Sequence, residues 1–224
     1  IGGRDGPDGD SAMTNHLYDA LFAPHADSQR PFLILPGEAT LSYGAFVALT
    51  ARYANALCAS GLRPGDRLAL QLEKSPHMLA VIAAAIQAGL VFLPLNTAYT
   101  ATEVSYFVGD SGAALLLCDD RDADALTLVA RTCGARVMTL NADGNGSFGD
   151  AAAGQPGHFS TVARAPGDLA ALLYTSGTTG RSKGAMLTHD NLLSNARTLT
   201  DAWGFGRDDV LLHALPIFHT HGLF

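Results

Sequence analysis

The sequence predicts an α/β fold, mostly parallel strands flanked by helices. Three observations carry this reading, the first two being that apolar residues alternate along the chain between three- and four-residue spacing and short unbroken runs, and that those runs have the length of strands, not helices. The third is order. Between residues 42 and 140 the two patterns take turns, the signature of a parallel sheet with helices on both faces.

From Ser42, the positions Tyr43, Phe46, Val47, Thr50, Ala54 and Leu57 form one helical stripe that ends at Gly61. After the turn Pro64-Gly65-Asp66, Arg67 to Leu72 reads as a strand. Ser75 and Pro76 offer an N-cap and a first-turn proline for a helix through Ala88, with Gly89 as its stop. The run LVFLPL that follows is a buried strand. Thr100 and Glu103 have capping-box spacing and open a helix toward Asp110, and Ala113 to Cys118 is an apolar run suited to a strand covered on both faces. Asp122 to Arg131 and Ala135 to Leu140 repeat the helix and strand. Glycines crowd residues 141–167, which read as a loop or short hairpin connecting a first α/β lobe (13–140) to the start of a second (168–224). That second lobe begins with the strand LAALLYT, and a helix runs from about Thr188 to Trp203. Residues 1–12, acidic and glycine-rich, read as a disordered leader or a vector-derived remnant, with Met13 as a natural start.

Composition narrows the function. The 224 residues carry a formal charge of −7, so the chain has no basic footprint for a nucleic-acid backbone, and any anion it binds must be met locally. Hydrophobic residues make up 48% and mean hydropathy is +0.16, enough apolar surface to offset the entropy of folding. Cys58, Cys118 and Cys133 have no CxxC spacing and cannot all pair, which fits a reducing cytoplasm. The longest apolar run, Met78 to Ile86, is nine residues, well short of the roughly 20 that span a bilayer.

The chemistry concentrates in residues 174–184, YTSGTTGRSKG. The strand Leu169 to Tyr174 runs into a segment of hydroxyls, glycines and two cations, Arg181 and Lys183. Glycines let backbone N–H groups face a ligand, hydroxyls add neutral donors and the cations add charge, so the segment has the parts of a phosphate cradle. A Gly/Ser/Thr surface linker has the same composition, but this run leaves the carboxyl end of a predicted parallel strand, where α/β sheets place ligands. The Walker spacing GxxxxGK[ST] fails: five residues on from Gly177 is Ser182, and Lys183 is followed by Gly184.

TSGTTGRSKG, preceded by LLY and followed by AMLTHDNL, resembles the AMP-binding signature of the adenylate-forming acyl-CoA synthetase family. LSYGAF at 41–46, QAGLVFLPLN at 87–96 and LPIFHTHGLF at 215–224 resemble further family motifs in the same order, and LNTAYT with HALPIFHTHGLF is most similar to malonyl-CoA synthetases. The resemblance covers residues 17–224. It implies the first lobe and the start of the second lobe of the large adenylate-forming domain. It also implies a two-step reaction: a carboxylate attacks the α-phosphorus of Mg-ATP, releasing pyrophosphate, and the thiol of coenzyme A displaces AMP from the acyl-adenylate.

Carried onto this sequence, the family's loop assigns Thr175, Ser176, Gly177, Thr178, Thr179, Gly180 and Lys183 to the ATP phosphates, with Lys183 and Thr175 as the catalytic pair and a loop that moves until ATP arrives. His219, at the position given by Pro216, His219 and Gly222, would set a ring against the acyl group. A metal pair of His219 and His221 lacks a third ligand at a familiar spacing, so no metal site is assigned. His213 reads as a structural residue on a strand. Asn96, Thr97, Tyr99 and Thr100 read as caps of the next helix more than as an acyl or coenzyme A entrance, and Asp119 to Asp124 as a solvated helix start.

Family members are much longer. The resemblance therefore implies that these residues are an amino-terminal portion, with the Mg-handling glutamate, the ribose-holding aspartate, the carboxyl-terminal lysine and a cation for malonate beyond Phe224. Malonate is the expected acid. Fatty or aryl acids, transfer to a carrier protein, and a non-catalytic ATP-binding module are the alternatives.

Overall fold

The computed structural model describes residues 15–37, 39–175 and 182–223. The leader and most of the glycine-rich loop lie outside the described residues.

The described chain opens with a short helix α1 (Tyr18–Leu21) and a hairpin of β1 (Pro31–Ile34) and β2 (Thr40–Ser42). There follow α2 (Tyr43–Ala59), β3 (Arg67–Gln71), α3 (Pro76–Gln87), β4 (Val91–Pro94), α4 (Ala101–Ser111), β5 (Leu115–Cys118), α5 (Ala123–Thr132), β6 (Arg136–Thr139) and α6 (Ser147–Ala153). The chain continues through β7 (Leu169–Thr175), β8 (Lys183–Thr188), α7 (His189–Trp203) and a turn of helix, α8 (Thr220–Leu223). Six strands form one sheet in the order β6-β5-β3-β4-β7-β8, parallel except for β8.

Local signals explain the helix ends. The Ser42 and Ser75 side chains accept from the amides of Ala45 and Met78, and Pro76 follows at the first helical position, where its missing N–H costs nothing. Thr100 with Glu103, and Thr188 with Asn191, form complete capping boxes.

Strand residues alternate between two cores. Leu68, Leu70, Phe92, Leu115 and Leu117 face a cluster built on α2, α3, α6 and α7; Ala69, Leu93, Leu116 and Cys118 face a smaller one under α4 and α5. Because both faces are covered, the central strands β3, β4 and β5 are apolar almost without interruption.

Three expectations change. Residues 141–167, expected as a loop or short hairpin, hold a helix, α6: Phe148 and Ala152, four apart, are buried, and the Phe148 ring meets Tyr53 edge-on at 5.3 Å. The rest of this connection is tied back to the first core, with Asn55 donating to the carbonyls of Pro156 and His158, and Arg164 to that of Gly89. It delivers β7 beside β4, so LAALLYT extends the first sheet and does not open a new one. His213 lies on no strand. Its ring nitrogen Nε2 sits 2.6 Å from the Gly222 carbonyl, and this contact closes a loop.

Candidate functional site

Strand order decides where a ligand can enter. From β3 the chain crosses through α3 on one face to β4; from β4 it crosses through α4 on the other face to β5, on the far side of β3. The loops leaving β3 and β4 therefore part in opposite directions, which opens a crevice at their carboxyl ends. A cavity of about 260 Å³ lies there, lined by Leu72, Glu73 and Lys74 after β3, Thr97 after β4, and Ala214 to Phe218. The Gln71 side chain donates to the carbonyls of Asn96 and Tyr99, both at 3.0 Å, and fixes the loop beyond β4.

The same edge carries the roots of the glycine-rich segment. β7 and β8 pair antiparallel with Thr175 opposite Lys183 and Tyr174 opposite Gly184. Directly opposed residues project from the same face of the sheet, so the structure brings Thr175 and Lys183 together at the mouth of the loop, both exposed. Ser176, Gly177, Thr178, Thr179 and Gly180 lie outside the described residues, as does Arg181. Both roots are held from α4. The Tyr106 hydroxyl donates to the Ser182 carbonyl at 2.8 Å, and the Tyr174 hydroxyl donates to Asp110 Oδ2 at 2.5 Å.

His219 sits apart from this pair, on the segment that walls the cavity. Lys74 Nζ donates to the carbonyls of His213 (2.6 Å) and Leu215 (2.9 Å) and ties that segment to the end of β3. Gly222 makes its tight turn possible: a Cβ there would collide with the Pro216 carbonyl oxygen, a backbone atom that cannot swing away. The His219 side chain is exposed, its ring stacked on His221 with centroids 5.4 Å apart. Among the described residues no three His, Cys, Asp or Glu side chains come together as a metal site. Lys74 was passed over by sequence reasoning, although a single cation directly after a buried strand at its carboxyl end is a readable signal.

Other candidates have structural work. Asn96 accepts from the amide of Ala98, Thr100 caps α4, and Asp119 accepts from the amide of Arg121. Arg121 meets Glu73 and Asp122 in an exposed network. Burial, with Asp122, Asp119 and Asp120 nearby, pushes the Cys118 thiol up to about 12, so it does not supply a thiolate near neutral pH. No helix among the described residues is long and apolar enough to cross a membrane.

The fold is shared with known proteins. The chain superposes on ATP-bound MatB from Rhodopseudomonas palustris with a TM-score of 0.90 and 50% identity, over 95% of this chain and 42% of that one. It is 36% identical to feruloyl-CoA synthase from an Amycolatopsis species over 91% of its own length and 38% of the relative's. A malonate–CoA ligase from Arabidopsis thaliana is 32% identical over 73% of this chain and 27% of that protein. The chain thus spans about two-fifths or less of these relatives. The family model of AMP-binding enzymes matches residues 23–224, and the chain belongs to that family.

Proposed function

We propose that the polypeptide serves an AMP-forming acid–CoA ligase whose acid is malonate. The observation that carries this is the hairpin at the carboxyl edge of the sheet: it sets Thr175 opposite Lys183 at the two ends of a segment made of hydroxyls and glycines. In the first step a carboxylate oxygen bonds to the α-phosphorus of ATP, and the bond to the pyrophosphate oxygen breaks. Charge accumulates on the leaving group. The Lys183 ammonium, the Thr175 hydroxyl and the donors of Ser176, Gly177, Thr178, Thr179 and Gly180 would hold the β- and γ-phosphates and stabilise that charge. Mg²⁺ arrives with ATP as part of the substrate, and no residue here is assigned to it. In the second step the sulfur of coenzyme A attacks the acyl carbon and AMP leaves. His219, exposed on a segment tethered by Lys74, would lie against the acyl group.

Malonate is favoured by the malonate–CoA ligases of Arabidopsis thaliana and Bos taurus among the relatives, at 32% and 31% identity, and by the stretches LNTAYT and HALPIFHTHGLF. Feruloyl-CoA synthase, at 36% identity, keeps an aryl acid as the competing reading. ATP–pyrophosphate exchange, measured on the polypeptide at its natural length, separates them. Exchange should depend on malonate. Equal or greater exchange with acetate, octanoate or coumarate would remove the malonate assignment.

A further inference from the structure

We infer that α4 is a clamp on the phosphate loop, in which Tyr106 and Asp110 act as positioning residues that hold the two roots of the loop and so set Thr175 against Lys183. This rests on the reading of residues 175–183 as the ATP phosphate site. Three features of the geometry carry it. First, the two hydrogen bonds reach opposite sides of the loop. Tyr106 takes the carbonyl of Ser182, the neighbour of Lys183, while Asp110 takes the hydroxyl of Tyr174, the neighbour of Thr175. Second, Tyr106 and Asp110 are four residues apart, one turn of a single rigid helix, so the spacing of the roots is copied from the helix.

Third, room is made for the Tyr174 ring. It packs on Phe107 with centroids 4.7 Å apart and meets Tyr106 edge-on at 6.2 Å, and the residue across the hairpin is Gly184. A Cβ at Gly184 would stand 3.2 Å from Cζ of that ring, tight enough that the ring would have to give by a few tenths of an ångström. Burial and the Asp110 carboxylate both raise the Tyr174 hydroxyl above its ordinary pKa, so it stays a donor throughout the neutral range.

The clamp is separable from the fold. α4 is docked by Val104, Phe107 and Val108, which are buried, whereas Asp110 is exposed and Tyr106 only half-buried. Tyr106→Phe and Asp110→Asn therefore remove or weaken the two bonds and leave the packing of α4 in place.

The test pairs amide hydrogen exchange with ATP kinetics in both variants. Exchange in 169–175 and 183–188 should quicken, about fivefold in Tyr106→Phe and less in Asp110→Asn, with β3 and β5 unchanged, because one hydrogen bond at a strand end is lost in the first and weakened in the second. The KM for ATP should rise about fivefold to tenfold, with kcat at saturating ATP and the KM for the acid nearly unchanged, and Asp110→Glu should restore part of the loss. Unchanged hairpin exchange in both variants overturns the clamp. Faster exchange with an unaltered ATP dependence overturns its role in positioning. Failure of the unaltered protein to bind ATP would strike the reading of the site instead, and the exchange measurement would still judge the clamp.

Discussion

His189 makes the fold acid-sensitive, and the size of the effect can be worked out. The ring is completely buried at the start of α7, and neither nitrogen has a hydrogen-bond partner among the described residues. Burial is the main cause that lowers its pKa from 6.5 to about 4, with Arg164 and His16 adding to the shift and Asp168 opposing it. The folded state thus holds a neutral imidazole, while the unfolded chain takes up a proton as pH falls through 6.5. The sign follows: stability contributed by the neutral ring is present above the unfolded value and is lost as pH falls toward the folded one. Between pH 7 and pH 5 the loss is about 2 kcal/mol, approaching roughly 3 kcal/mol below pH 4. Urea denaturation followed by circular dichroism at pH 7 and pH 5 measures it, with His189→Phe as the non-titrating control of similar shape. The unaltered protein should lose about 2 kcal/mol more than the variant across that interval. Equal losses in the two proteins would refute the buried neutral ring.

Two further outcomes follow from the site. Lys183→Ala should lower kcat/KM for ATP roughly tenfold, the worth of one charge-assisted hydrogen bond at an exposed position, and leave binding of the acid nearly unchanged; unaltered ATP kinetics would remove the loop assignment. Lys74→Met frees the carbonyls of His213 and Leu215, so limited proteolysis within 205–215 should speed up several-fold while the melting temperature moves by less than about 2 °C. Lys74→Arg should restore protection. Equal cleavage rates in the Met variant and the unaltered chain would show that the tether does not hold the segment.

What could be read from sequence was local. Thr100 with Glu103, Ser75 with Pro76 and the apolar runs of β3, β4 and β5 announce themselves within a few residues, because capping and two-sided burial each leave a pattern at short range. The glycine- and hydroxyl-rich segment stands out for the same reason, since its composition is all contained in eleven consecutive residues. β8 was not. It is an edge strand with four exposed residues in succession, Met186 among them at 67% exposure, so KGAMLT shows no alternation. Helix α6 hid because seven residues with glycine on both sides are too few for a helical period to emerge. The continuity of the sheet from β4 to β7 was equally invisible, since strand order is a property of tertiary packing. The Tyr106 to Ser182 contact joins residues 76 apart, and nothing at either end marks the other.

The antiparallel return of β8 has an electrostatic consequence. In loops that pass from a strand directly into a helix, the helix dipole lends a fixed partial positive charge to a bound phosphate. Here the segment returns as a strand, and the nearest helix downstream, α7, begins at His189, at the opposite end of β8 from the loop. Its dipole is therefore not directed at the Thr175 and Lys183 end of the hairpin. Under the proposed reading, the charge that the described ends of this segment bring to a triphosphate is that of Lys183, exposed to solvent and to ions. Nucleotide affinity at such a site should fall with added salt more steeply than at a helix-backed one, because mobile counterions screen an exposed ammonium.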